Sequence, residues 1–240
     1  MKLLLTSGGI TNNSIHNALV ELLGKPIADS NALFIPTAIY PYPGGANYAY
    51  QAILGRPRSP LTQLGWKSLG VLELTALSSI QKEVWTPAVR DADALLFWGG
   101  DPVFLAYWIE LSGLKALLPL LPDKTVYVGV SAGSMAASTM IGEAYTEQPR
   151  SAHKALITEN ISLGDISRTF VLARGAELVD FAIIPHYGHP DHPDASLANA
   201  GQWAEKIPLP VYAIDDQTAI KVYHDQIEVI SEGNWKMFNS

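Results

Sequence analysis

The amino-acid sequence predicts an α/β fold: a mostly parallel sheet with helices on both faces, and extra antiparallel strands near the C-terminus. Three observations predict it. Short apolar runs alternate with amphipathic stretches through the first two thirds of the chain, the pattern of βαβ units whose strands are buried on both sides. The last third changes to closely spaced strand-like runs joined by short links, which suits antiparallel pairing. Two glycine-containing turns, at 98–101 and 129–133, each follow an apolar run and precede a helix-like stretch.

Taken in order, Leu3-Leu4-Leu5 reads as the first buried strand. This run ends in Ser7-Gly8-Gly9, short of the roughly 7–15 apolar residues of a signal-peptide core. No segment reaches the ~20 apolar residues of a membrane span. Residues 13–23 have helical spacing, 32–35 form the next strand, and 41–50, rich in Pro, Tyr and Gly, read as a loop. Strands are expected at 69–74 and 94–98, and a helix over 101–111 with Pro102 suited to its first turn. The β-branched, apolar run 125–130 is a strand and 134–140 a helix. The polar stretch 142–165 reads as a long loop over the site. Strands follow at 181–184, 211–214, 218–224 and 226–230, with Asp225-Gln226 turning a hairpin. There is no internal repeat or linker, and one domain over 1–240 is the simplest organisation.

Composition narrows the chemistry. The chain has 240 residues, a formal net charge of −7 and no cysteine. The missing cysteine excludes a disulfide framework, a thiolate zinc site and a thiol nucleophile, and it fits a reducing compartment, so the cytoplasm is expected. No Lys/Arg cluster stands out, which leaves a nucleic-acid backbone without an electrostatic partner.

The turn Gly129-Val130-Ser131-Ala132-Gly133 joins a strand to a helix. In that context a Gly-x-Ser-x-Gly turn lifts the serine out at the carboxyl end of the sheet, where open α/β sheets hold ligands. The backbone N–H of Ala132 can then stabilise a tetrahedral oxyanion. Trp98-Gly99-Gly100-Asp101 has the same placement, and Gly100 is expected to supply the second donor. The alternatives are a serine N-cap at the first turn and an Asp101 N-cap at the second.

A serine nucleophile needs a base within hydrogen-bond reach. Of the six histidines, His186 directly follows the strand-like run 181–184 and Pro185, which suits a base at the same sheet edge as Ser131. His16, in a helix, and His224, in a late strand, read as structural or exposed, while His153 in the polar stretch remains a rival. His186, His189, Asp191 and His192 also suit zinc by type. Gly188, Pro190 and Pro193 rule out a shared helical face, and no metal is expected. The third member is expected to be Asp216, with Asp215 as fallback, since neighbours on extended chain face opposite ways. Glu143 and Glu147 are weaker rivals. The resulting chain order Ser, His, Asp differs from the Ser, Asp, His of α/β-hydrolases.

With these residues in place the chain resembles the peptidase E family of serine peptidases, which includes aspartyl dipeptidase and, more distantly, cyanophycinase. The anchors are Val128-Gly129-Val130-Ser131-Ala132-Gly133, Ile184-Pro185-His186-Tyr187 and Trp98-Gly99-Gly100-Asp101. The resemblance implies a fold like the class I glutamine amidotransferases, with Ser131 as nucleophile, His186 as base, Asp216 as the acidic third member, and Gly100 and Ala132 as oxyanion donors. It implies no cofactor. Two departures stand out. The glycine loop reads Trp-Gly-Gly-Asp where the family commonly has Gly-Gly-Gly-Asn. The stretch 199–206, where aspartyl dipeptidase carries an arginine for the substrate Asp side chain, has none. An Asp-specific pocket there lacks its counter-charge, and Lys206 is a poor bidentate substitute, so Asp-X specificity is not expected. The expected activity is dipeptidase- or aminopeptidase-like cleavage of short peptides, with Asp101 binding the free α-amino group. Rival readings are an esterase or amidase with the same triad, and a non-catalytic binding protein of amidotransferase-like fold. No nucleic-acid or membrane partner is expected, and a homodimer is left open.

Overall fold

The apolar runs become strands because successive residues face opposite helix layers. The computed structural model describes residues 1–56, 61–147, 155–224 and 226–239. Its first half contains β1 (Lys2–Thr6), α1 (Asn13–Leu23), β2 (Asn31–Ile35), α2 (Gly45–Ile53), β3 (Ser68–Val71), α3 (Leu74–Leu77), α4 (Lys82–Asp91), β4 (Ala94–Phe97), α5 (Pro102–Leu111), α6 (Leu114–Leu117), β5 (Val126–Val130) and α7 (Ala132–Met135). Leu4, Phe34, Leu96 and Val128 pack with Ile15 and Leu19 of α1 and Ala52 of α2. Their chain neighbours Leu3, Ile35, Phe97 and Tyr127 pack on the other face, with Val89 of α4, Leu105 of α5 and Leu114 of α6. Each fully buried Leu or Phe is worth about 1.5–3 kcal/mol, and a one-residue slip would turn every such pair inside out.

The second half contains β6 (Met140–Tyr145), β7 (Ala155–Leu163), β8 (Ile166–Arg174), β9 (Ala182–Ile184), α8 (Ala200–Ala204), β10 (Val211–Ile214), β11 (Thr218–Tyr223), β12 (Gln226–Ser231) and β13 (Trp235–Phe238). The seven-stranded sheet runs β12-β11-β1-β5-β4-β2-β3. Its β1, β5, β4, β2 and β3 are mutually parallel, and the β11–β12 hairpin adds antiparallel to β1. Two three-stranded sheets accompany it, β13-β10-β9 and β6-β8-β7. A second core forms around them, with Phe170, Ile184, Trp203 and Val211.

Local signals account for the best-placed elements. Asn12 caps α1 by accepting the Ile15 N–H, and Gly24 ends it in the left-handed conformation at φ 69°. Each such cap is worth about 1 kcal/mol.

Several local expectations are corrected by tertiary pairing. The stretch 142–165 is no long loop: β6 and β7 occupy most of it, both paired to β8. β7 reads as polar because it is an edge strand with Leu156 to Asn160 exposed. Residues 148–154, and with them His153, lie outside the described residues. The helix expected over 134–140 is one turn, 132–135, because Thr139 N–H already donates to Val179 O (2.9 Å) and Met140 begins β6. Within 41–50, α2 begins at Gly45. The strand expected over 69–74 stops at Val71, and Glu73 caps α3 instead. β13 has no counterpart in the sequence reading; it pairs antiparallel with β10. Tyr223 pairs with Gln226 across the expected hairpin, whose Asp225 lies outside the described residues. Among the described residues no single helix is long and apolar enough to cross a membrane.

Candidate active site

Ser131 sits between β5 and α7 with φ 50° and ψ −111°, a conformation that costs a non-glycine residue about 1–3 kcal/mol. The end of β1 holds it there. Ser131 N–H donates to Thr6 O (3.0 Å), the Ser134 hydroxyl donates to the same carbonyl (2.7 Å), and the Thr6 hydroxyl donates to Gly129 O (2.7 Å). The buried Tyr127 hydroxyl donates to Gly133 O at 2.6 Å. The flanking glycines are steric requirements. A Cβ on Gly129 would lie 2.6 Å from Ser134 N, and one on Gly133 would run into the Phe97 carbonyl. Gly133→Ala is therefore expected to destabilise the fold by about 1–3 kcal/mol, lowering Tm by about 2–12 °C. An unchanged melting curve would show that the turn relaxes without strain.

β9 and β10 bring the other two residues together. They run parallel with Ile184 opposite Ala213, so His186 and Asp216 both emerge just past the same strand ends. His186 Nε2 lies 2.9 Å from Ser131 Oγ, and its Nδ1 lies 2.8 Å from Asp216 Oδ1. Alternation separates the two aspartates: Asp215 turns away, its Oδ1 accepting from the Thr218 hydroxyl (2.7 Å) and Gln217 N–H (3.0 Å). The hydrogen bond with His186, then that from Ser7, holds the Asp216 carboxyl down to about 2, against the opposing effect of burial.

The 98–101 turn flanks the serine. A Cβ on Gly99 would lie 3.5 Å from Ser131 Cβ. Gly100 has φ 138°, and a Cβ there would run into the Ala38 carbonyl, which accepts Asp101 N–H at 2.8 Å. Ala132 is the first residue of α7, so its N–H has no acceptor within the helix. Asp101 is 4% exposed. It caps α5 by accepting Phe104 N–H (2.9 Å), and the same Oδ1 accepts the Tyr145 hydroxyl (2.8 Å).

His192 stacks on the His186 ring, centroids 4.1 Å apart at 15°. Burial first, then the neighbouring imidazole of His186, lowers its pKa. His189 packs edge-on to both rings. Among the described residues no three His, Asp or Glu side chains are placed to hold a metal. His16 and His224 are exposed, on α1 and just after β11.

A cavity of about 590 Å³ opens over Ser131 and His186, lined also by Tyr42, Glu143, Arg168 and Asp194. Glu143 on β6 lines this cavity and does not meet His186 in place of Asp216, and Arg168 on β8 joins it from a position that no motif in the sequence singles out. The period-two spacing of Glu143 and Tyr145 on β6 is the signal in the sequence that points to this face. Arg168 Nη2 pairs with Asp194 Oδ1 at 3.1 Å. Burial, then the Asp194 and Asp101 carboxylates, pushes Glu143 up to about 8. A carboxyl raised in the folded state contributes stability that is fully present below its unfolded pKa and lost as pH rises through its folded one. Glu143→Gln is thus expected to flatten the dependence of Tm on pH between about 5 and 8, melting a few degrees above wild type at the upper end. Parallel curves for the two proteins would contradict this.

A strained serine after a central parallel strand, hydrogen-bonded to an imidazole at the sheet's carboxyl edge, defines a serine-type hydrolase of α/β architecture. The profile of peptidase family S51 matches residues 3–230. The chain therefore belongs to peptidase family S51 and is a serine-type peptidase, in agreement with the resemblance carried by its motifs. Its fold is similar to that of a candidate peptidase E protein from Listeria monocytogenes EGD-e, at 20% identity and TM-score 0.61, covering 97% of this chain and 98% of that one. It is also similar to a peptidase from an acI-B1 Actinobacterium, at 19% identity and TM-score 0.62, covering 99% and 93%. No curated protein matches the sequence.

Proposed function

We propose that this peptidase cleaves short peptides with a free amino terminus, through an acyl-enzyme formed on Ser131. The observation that carries the reading is the row Ser131 Oγ, His186 and Asp216 Oδ1, linked at 2.9 and 2.8 Å. In it, His186 takes the serine proton as Oγ attacks the carbonyl, and Asp216 holds the imidazole tautomer and offsets the imidazolium charge. The N–H groups of Gly100 and Ala132 receive the oxyanion. His186 then protonates the leaving amine, and water enters by the reverse path to release the acyl group.

The charges of the cavity favour a small zwitterion. Asp101 presents a carboxylate suited to an ammonium, Glu143, raised to about 8, a carboxyl whose oxygen can accept a hydrogen bond from it, and Arg168 a cation partly offset by Asp194 in the same cavity. Asp-X specificity is not part of the proposal, since Arg168 is already paired to Asp194. The test is a panel of free dipeptides, their N-acetyl forms and acyl esters, assayed with wild type and Asp101→Ala. Free dipeptides are expected to be cleaved, with KM rising about tenfold or more on acetylation, the loss of one charge-assisted contact. That difference should shrink in Asp101→Ala. Esters turned over best, with acetylation making no difference, would overturn the reading in favour of an esterase.

A further inference from the structure

We propose that Ser7 is a positioning residue that locks the base and the acid of this site together across the junction of two sheets; this rests on the reading of Ser131, His186 and Asp216 as a triad. Ser7 is fully buried at the carboxyl end of β1. Its hydroxyl has one proton to donate and lone pairs to accept, and both functions are used within the site. The proton goes to Asp216 Oδ1 at 2.6 Å, and the oxygen accepts the backbone N–H of His186 at 2.7 Å. His186 Nδ1 is 3.4 Å from the same hydroxyl but only 2.8 Å from Asp216 Oδ1, so the imidazole proton belongs to the carboxylate. Asp216 Oδ1 thereby collects two donors, Nδ1–H and Ser7 O–H. Rotating the carboxylate away from His186 would break both.

The topology explains why such a bolt is needed. Ser131 and Ser7 each follow neighbouring parallel strands of the large sheet, where Thr6 pairs with Val130. His186 and Asp216 follow β9 and β10 of a different sheet. Among the described residues no strand pairing joins those two sheets here; the link 215–217 carries the chain from β10 into β11, where Ser7 N–H reaches Thr218 O at 3.5 Å, and the Ser7 hydroxyl adds the tie to His186. His186 is also held at φ 58°, a strained conformation for a non-glycine residue, and its N–H is fixed by Ser7. If that peptide relaxed, it would swing the ring away from Ser131. The adjoining backbone is cut to fit: a Cβ on Gly8 would lie 2.9 Å from Asp216 Cβ and 3.1 Å from Cγ. Ser7 does not line the cavity; it acts on the reaction only through His186 and Asp216.

The experiment compares wild type, Ser131→Ala, Ser7→Ala and Ser7→Thr without relying on any peptide substrate. One readout is the rate of fluorophosphonate labelling at Ser131, located by mass spectrometry. A second is the low-field imidazole N–H proton resonance of the His186–Asp216 pair, and a third is Tm. Ser7→Ala is expected to label about 10–100-fold more slowly, the effect of losing one or two aligned hydrogen bonds at the reacting centre, and to shift or broaden the low-field resonance. Ser7→Thr keeps the hydroxyl and should restore both. Ser7→Ala that labels at the wild-type rate, or that slows with its low-field resonance unmoved, overturns the inference while leaving the triad reading intact. So does a folded Ser7→Thr as slow as Ser7→Ala, which would assign the effect to packing. The resonance of Ser7→Ala decides the matter even where Ser7→Thr does not fold. Wild type that fails to label at Ser131 removes the triad reading, and this inference with it.

Discussion

Ser131→Ala is expected to lower peptide hydrolysis by about 10⁴- to 10⁶-fold, the scale on which removing a triad nucleophile acts. The substitution deletes the atom that bonds to the substrate carbonyl. What remains is whatever binding and the N–H groups of Gly100 and Ala132 supply to a water attack. The fold should survive. The side chain makes one hydrogen bond, to His186 Nε2 at 2.9 Å, worth about 1 kcal/mol to stability. The backbone strain at φ 50° is carried equally by alanine. The measurement is kcat on a cleaved dipeptide, with circular dichroism and Tm as controls for folding. Full activity in a folded Ser131→Ala protein would refute the nucleophile assignment.

Asp216→Asn should lower kcat by about 10³- to 10⁴-fold, with KM nearly unchanged. The carboxylate is held down to about 2 chiefly by its hydrogen bond with His186, so its negative charge is bound up with the imidazole it faces. An amide cannot offset the imidazolium that forms when Ser131 gives up its proton. The Ser7 hydroxyl donates to Oδ1 and so favours the amide oxygen at that position. The ring tautomer can then persist, and the lost charge accounts for the fall. Stability carries an independent signature. A carboxyl depressed in the folded state contributes stability that is present above its unfolded value, 3.8, and lost as pH falls toward about 2. Asp216→Asn should therefore remove part of the acid-side decline in Tm. Asp215→Asn is the control. Asp215 spends its carboxylate on Thr218, Gln217 and Asn234, so kcat should hold while Tm drops. Equal losses of kcat in the two variants would mean that Asp216 has no special place beside His186.

The parallel strands and the helix Asn13–Leu23 were legible because their determinants lie within the elements themselves. Leu3 to Leu5 and Val126 to Val130 are apolar at successive positions, as a strand covered on both faces requires. Asn12 and Gly24 mark the limits of α1 by capping chemistry. The turn at 129–133 was legible because glycine is the residue that permits Ser134 N and the Phe97 carbonyl to come so close. The polar surface of β7 hid a strand, since an edge strand need not alternate, and β13 had no pattern apart from the partner it finds in β10. The cavity side of Glu143 and Arg168 followed the same fate, because which face of β6 and β8 meets the site depends on how those strands pair.

The sequence by itself determined an α/β sheet, a serine on a strained turn after a buried strand, and a short set of histidines and acids to serve it. Each of these follows from residues within a turn or two of one another: periodicity, caps and the steric demands of glycine. Only the tertiary structure decided that Asp216 rather than Asp215 meets His186, that Glu143 and Arg168 share the cavity, and that Ser7 reaches both base and acid. The His186–Asp216 and Ser7–Asp216 hydrogen bonds join residues 30 and 209 positions apart. Such distances are bridged by strand register between sheets, which no local pattern encodes.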